Sequence, residues 1–73
     1  MNIKIDKSWE RFLLPILKDK RFQTIKTTLS DCIYWPKEEN IFRAYRECSY
    51  DDLKVVIVGL DPYAKANVAT GIS

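Results

Sequence analysis

A chain of 73 residues with 12 Lys+Arg, 10 Asp+Glu, 47% hydrophobic and 30% charged residues reads as one small globular unit, spanning residues 1–73. That make-up excludes a disordered, collagen-like or disulfide-dense chain, and a formal net charge of +2 gives no strong field toward nucleic acid. The absence of histidine excludes a histidine general base, a histidine metal ligand or a histidine-containing triad within these residues.

The opening residues, Met1-Asn2-Ile3-Lys4-Ile5-Asp6-Lys7, lack the apolar core of a signal peptide. No apolar run approaches the ~20 residues of a membrane span. A soluble cytoplasmic protein with no membrane partner is therefore expected. Ser8 is the expected N-cap of a first helix, because Trp9, Phe12, Leu13, Ile16 and Leu17 follow at one-face spacing. Pro15 inside that stripe predicts a kink or two helical pieces. The cluster Lys18-Asp19-Lys20-Arg21 reads as a solvated turn or helix end. A second, weaker helical pattern runs from Phe22 to Leu29 through Ile25, weakened by Thr24, Thr27 and Thr28.

Cys32-Ile33-Tyr34-Trp35-Pro36 reads as extended, since a residue before proline is pushed toward β geometry. Cys32 and Cys48 show no C-x-x-C spacing, so two free, semi-buried thiols are expected, with no metal and no cofactor. Glu38-Glu39-Asn40 leads into Ile41, Phe42, Tyr45 and Cys48, again at helical spacing, with the acidic residues suited to a first turn. Trp9, on the apolar stripe, reads as core, while Trp35 falls in a loop. Tyr34 and Tyr45 read as half-buried aromatics. Arg43 and Arg46 fall on the polar face and receive no role.

After the polar connection Ser49-Tyr50-Asp51-Asp52 comes Leu53-Lys54-Val55-Val56-Ile57-Val58-Gly59. Four consecutive β-branched residues between a turn and a glycine predict a strand buried on both faces, as in a parallel sheet covered by helices. Helices followed by such a strand predict an α/β layered domain. One strand needs neighbours, so the chain reads as the opening portion of a larger domain. Unpaired sheet edges then make self-association an expected hazard.

Gly59-Leu60-Asp61-Pro62-Tyr63 stands at the carboxyl end of that strand, the edge where open α/β sheets bind ligands. Asp61, on a turn that Pro62 stiffens, has the chemistry to steady a developing cation or orient a water. Tyr63 supplies an aromatic wall. An Asp-Pro turn also forms for purely structural reasons, and from these residues alone that reading is the stronger.

The run Val55-Val56-Ile57-Val58-Gly59-Leu60-Asp61-Pro62-Tyr63 resembles the strand and water-activating loop of uracil-DNA glycosylases, V-V-I-x-G-Q-D-P-Y-H. Ile33-Tyr34-Trp35-Pro36 is similar to the family's I-Y-P-P, Ile41-Phe42-Arg43-Ala44-Tyr45 to its I-F-x-A-F, and Ala69-Thr70-Gly71-Ile72 to its A-H-G-L. Ser8-Trp9 and residues 12–17 resemble its first helix. The resemblance implies the amino-terminal helices and first central parallel strand of an incomplete three-layer α/β/α domain, roughly a third of such an enzyme. It further implies a base-excision repair hydrolase acting on uracil-containing DNA without metal or cofactor.

Carried over by position, the resemblance implies that Asp61 is the catalytic carboxylate. Tyr63 would pack against C5 of a flipped-out uracil and exclude the thymine methyl group, and the backbone amides of Leu60 and Asp61 would bind uracil O2. Leu60 stands in place of a glutamine and Ala64 in place of a histidine, while Lys65-Ala66-Asn67-Val68 replaces a Gly/Pro-richer turn. Leu60 and Ala64 favour the alternative, a degenerate DNA- or protein-binding module of the same fold. The family's stacking phenylalanine, its uracil-reading asparagine and its H-P-S-P-L segment would follow Ser73, so the 73 residues alone are expected to be inactive.

Overall fold

Asp6 sets where the helical part of the chain begins. In a computed structural model that describes residues 3–61 and 63–72, its carboxylate accepts from the Ser8 amide at 3.0 Å and from the Ser8 hydroxyl at 2.6 Å. Asp6, not Ser8, is therefore the cap, and a 3₁₀ turn, Lys7–Trp9, precedes helix α1, Glu10–Leu17. An aspartate accepts through a full charge, which makes it the stronger partner for unpaired amides at a helix start. Ser8 instead reaches across to a distant segment, its Oγ accepting the Tyr50 amide at 2.8 Å.

Pro15 sits inside α1, which runs through it as one helix. After a short junction Asp19 caps helix α2, Lys20–Ser30, accepting from the Arg21 amide at 2.8 Å. The cluster Lys18-Asp19-Lys20-Arg21 is thus a helix-to-helix corner. The threonines that weaken the sequence pattern are accommodated by bonding back to the preceding turn. Thr24, Thr27 and Thr28 donate to the carbonyls of Lys20, Gln23 and Thr24 at 3.2, 3.0 and 3.1 Å. A second 3₁₀ turn, Glu38–Asn40, leads to helix α3, Arg43–Glu47, so the expected helix through Cys48 is present but shorter.

An aromatic cluster joins α1 to α3 and the segment after it. Trp9 meets Tyr45 and Tyr50 edge to face, with ring centroids 4.9 and 5.5 Å apart, and Phe12 lies 4.8 Å from Tyr50. The Asp6 amide donates to the Tyr45 carbonyl at 2.8 Å. Phe22 of α2 reaches Phe42 at 6.1 Å. Tyr34 is half-buried, and partial burial together with the Glu38 and Glu39 carboxylates pushes its phenol above the usual range. Both cysteines are free, yet only Cys48 is half-buried; Cys32 is exposed and donates its thiol to the Thr28 carbonyl at 3.3 Å.

The expectation of a doubly buried strand is not met. Among the described residues no strand is formed, and residues 53–59 have no regular structure. Val55, Val56, Ile57 and Val58 are 74%, 69%, 77% and 87% exposed. The physical reason is the missing partner: an extended segment becomes a sheet strand only when neighbours take its amides and carbonyls. None of the described residues is buried. The radius of gyration is 13.0 Å, against about 11 Å for a packed domain of this length.

Candidate active site

The run 53–60 leads to Asp61, which lines an open groove of about 420 Å³. Asp61 and Tyr63 line this groove together with Pro36 and residues 69–72. Three separate stretches of sequence thus meet: the segment around Trp35-Pro36, the Asp61 loop and the tail. The Trp35–Pro36 peptide is cis. The stiffening expected of Pro62 falls on a residue outside those described.

The sequence-derived site residues are placed unevenly. Asp61 and Tyr63 line one concavity, and Tyr63 as a whole is 68% exposed. Leu60 is 96% exposed and is not among the lining residues. The uracil contact implied for Leu60 runs through its backbone amide, so the outward side chain does not conflict with it.

Residues 69–72 form a wall that supplies most of the remaining lining. The Thr70 hydroxyl donates to the Ile72 carbonyl at 3.0 Å and accepts from the Ile72 amide at 3.4 Å. Gly71 has a φ of 88°, a left-handed conformation natural to glycine. A Cβ there would run into the Asn40 carbonyl oxygen and lie 3.1 Å from the Arg43 Cβ. Asn67, in the turn leading to this wall, also has a positive φ, 65°, which asparagine tolerates better than most residues.

Behind the wall stand Arg43 and Arg46, which carry no role on sequence grounds. Arg43 Nη1 donates to the Thr70 carbonyl at 3.1 Å, and its Nε donates to Glu47 at 2.9 Å. Arg46 donates to the Glu39 carbonyl at 2.7 Å and to the Asn40 side chain at 3.4 Å. The Arg43–Glu47 spacing of four is readable as a helical ion pair. The reach from Arg43 to Thr70, over 27 residues, leaves no trace in local pattern.

Comparison with known proteins bears on what the groove is for. The uracil-DNA glycosylase of Azobacteroides pseudotrichonymphae is 37% identical over 76 residues, a match covering 99% of this chain and 34% of that protein. The uracil-DNA glycosylase of Bacteroides thetaiotaomicron is 36% identical, again over 99% of this chain and 34% of its own length. Uracil-DNA glycosylase 1 of Listeria monocytogenes is 38% identical over 71 residues, 92% of this chain.

This chain resembles uracil-DNA glycosylases along nearly its whole length. It spans about a third of the length of these relatives. No protein-family model matches it, and no solved structure does. A match over 99% of the chain takes in the helices and the loop-and-tail groove alike, so the likeness to uracil-DNA glycosylases is not confined to the G-x-D-P-Y segment.

Proposed function

We propose that these residues form the carboxylate side of a uracil-DNA glycosylase site, cleaving the N-glycosidic bond of uracil in DNA once the rest of such a domain is in place. The observation that carries this reading is that Asp61 and Tyr63 line one groove together with residues 69–72. In the proposed reaction the bond between uracil and the sugar breaks first, and the bonding electron pair leaves with uracil. Asp61 steadies the cationic sugar and orients the water that adds to it, taking up the water's proton. Tyr63 lies against C5 of the extruded base, where a thymine methyl group would collide with the ring. The amides of Leu60 and Asp61 bind uracil O2.

Residues 53–59 supply the first central strand of the complete α/β/α domain in this reading. Their exposed apolar side chains are the surface that neighbouring strands and helices would cover, which is consistent with relatives about three times longer. A groove with one carboxylate and no histidine has no group to neutralise the departing uracil anion. An electrophile aimed at such charge contributes ~10²–10³ in rate. The 73 residues alone are accordingly assigned no useful excision activity.

Release of free uracil from a uracil-containing oligonucleotide tests both halves. The chain alone should release none, and the chain joined to the unmatched two thirds of the Bacteroides thetaiotaomicron relative should release it. Rapid turnover by the 73 residues overturns the inactivity. A joined protein that binds DNA but leaves uracil in place favours the second reading, a non-catalytic binding module, to which Leu60 and Ala64 point.

A further inference from the structure

The groove has two walls of different character. The Asp61 loop leaves an exposed run, whereas residues 69–72 are pinned to α3. Ala69 and Thr70 border two concavities: the groove with Asp61 and Tyr63, and a smaller one of about 230 Å³ behind it that Arg43 and Asn40 help to line. Arg43, which lines the smaller concavity, is bonded to Thr70, a residue that lines both.

We propose that Arg43 is the positioning residue of this site, acting through Thr70 and Gly71 without touching the substrate. Its guanidinium holds the Thr70 carbonyl at 3.1 Å while Gly71, at a φ of 88°, seats against Asn40 and the Arg43 Cβ. The Arg43 Nε separately donates to Glu47 at 2.9 Å, a bond that does not involve the tail. Only a glycine fits that seat, and only a donor long enough to span from α3 fixes the carbonyl just before it. Together they set the part of the lining that Ala69 and Ile72 share with Asp61 and Tyr63. The assignment rests on the groove being the base-binding site proposed above, and the test separates the two.

The test is made by NMR on the full 73-residue chain without substrate. Every variant at position 43 keeps a Cβ, so a nuclear Overhauser contact between the Gly71 Hα and the residue-43 Hβ reports the seat directly. The contact should be present in the wild type, lost in Arg43→Ala and restored in Arg43→Lys, which keeps a donor. It should persist in Glu47→Gln, which breaks the ion pair and leaves the Thr70 bond. An unchanged contact in Arg43→Ala, its absence from Arg43→Lys, or its loss in Glu47→Gln overturns the assignment. Unshifted Trp9 indole signals in each variant show that the aromatic cluster is intact and the change local. Free uracil is then titrated into the same variants of the chain joined to the unmatched two thirds of the Bacteroides thetaiotaomicron relative. The Ile72 methyl and Tyr63 ring signals should move in the wild type and Arg43→Lys and stay still in Arg43→Ala. If they are still in the wild type as well, the base-binding reading fails while the Overhauser contact decides Arg43.

Discussion

The indole Nε1 of Trp9 donates to the Cys48 carbonyl at 2.7 Å, tying the start of the helical region to the end of α3. With none of the described residues fully buried, this bond and the rings around it hold α1 to the scaffold carrying the groove. Trp9→Phe keeps an aromatic ring but deletes the donor, and should lower stability by about 1 kcal/mol in urea unfolding followed by circular dichroism. Trp9→Ala should lose more, since contacts with Tyr45 and Tyr50 go as well, each worth ~0.5–1.5 kcal/mol beyond burial. Equal stability of Trp9→Phe and wild type would remove the bond from this role.

The two glycines should respond in opposite ways. At Gly71 a methyl group meets the Asn40 carbonyl in a left-handed backbone, so Gly71→Ala should release the tail from α3. The backbone strain alone is about 1–2 kcal/mol. At Gly59 nothing lies within 4 Å of a built Cβ. Gly59→Ala should therefore change the stability of the 73-residue chain by less than about 0.5 kcal/mol. Amide exchange at Ile72 separates the two: faster in Gly71→Ala, unchanged in Gly59→Ala.

Acid should loosen both caps. The Ser8 hydroxyl and amide hold the Asp6 carboxyl below its ordinary value of 3.8, and the Arg21 side chain and amide do the same for Asp19. A carboxyl lowered on folding contributes stability that is present above its unfolded value and lost as pH falls through the folded one. Helix content should thus be flat above about pH 4 and decline below it. Asp6→Asn, which still caps but does not titrate, should flatten part of that decline. An unchanged acid limb in the Asp6→Asn, Asp19→Asn double variant would contradict the assignment.

Residues 55–58 and Leu60 present apolar side chains to water, with Val58 at 87% and Leu60 at 96% exposure. Exposed segments rich in β-branched residues associate edge to edge. The isolated chain should self-associate with rising concentration in analytical ultracentrifugation, and Val56→Lys with Val58→Lys should suppress it. A monomer across the accessible range would contradict this.

Much of the helical scaffold is legible in the sequence because it depends on near neighbours. The spacing of Trp9, Phe12 and Leu13, the acidic turn at Glu38 and Glu39, and the Phe22–Leu29 pattern all lie within helices or turns of the structure. The choice of cap is not legible, because Asp6 and Ser8 are both good caps and Ser8 is engaged by Tyr50, 42 residues away. The strand expected over 53–59 is not formed among the described residues, because β-branched residues record a preference that sheet partners must complete. At the groove, the pairing of Asp61 with Tyr63 is visible in a five-residue motif. The rest of the lining is not, since the Arg43–Thr70 bond and the seat of Gly71 on Asn40 join segments whose local patterns say nothing of each other.

The role proposed for Asp61 predicts a specific loss when its charge is removed. Residues 1–73 joined to the unmatched two thirds of the Bacteroides thetaiotaomicron relative are assayed for uracil release, with aspartate or asparagine at position 61. Asp61→Asn should slow excision on the order of a hundredfold or more while DNA binding stays within a few-fold. Equal excision rates from the two proteins would contradict it.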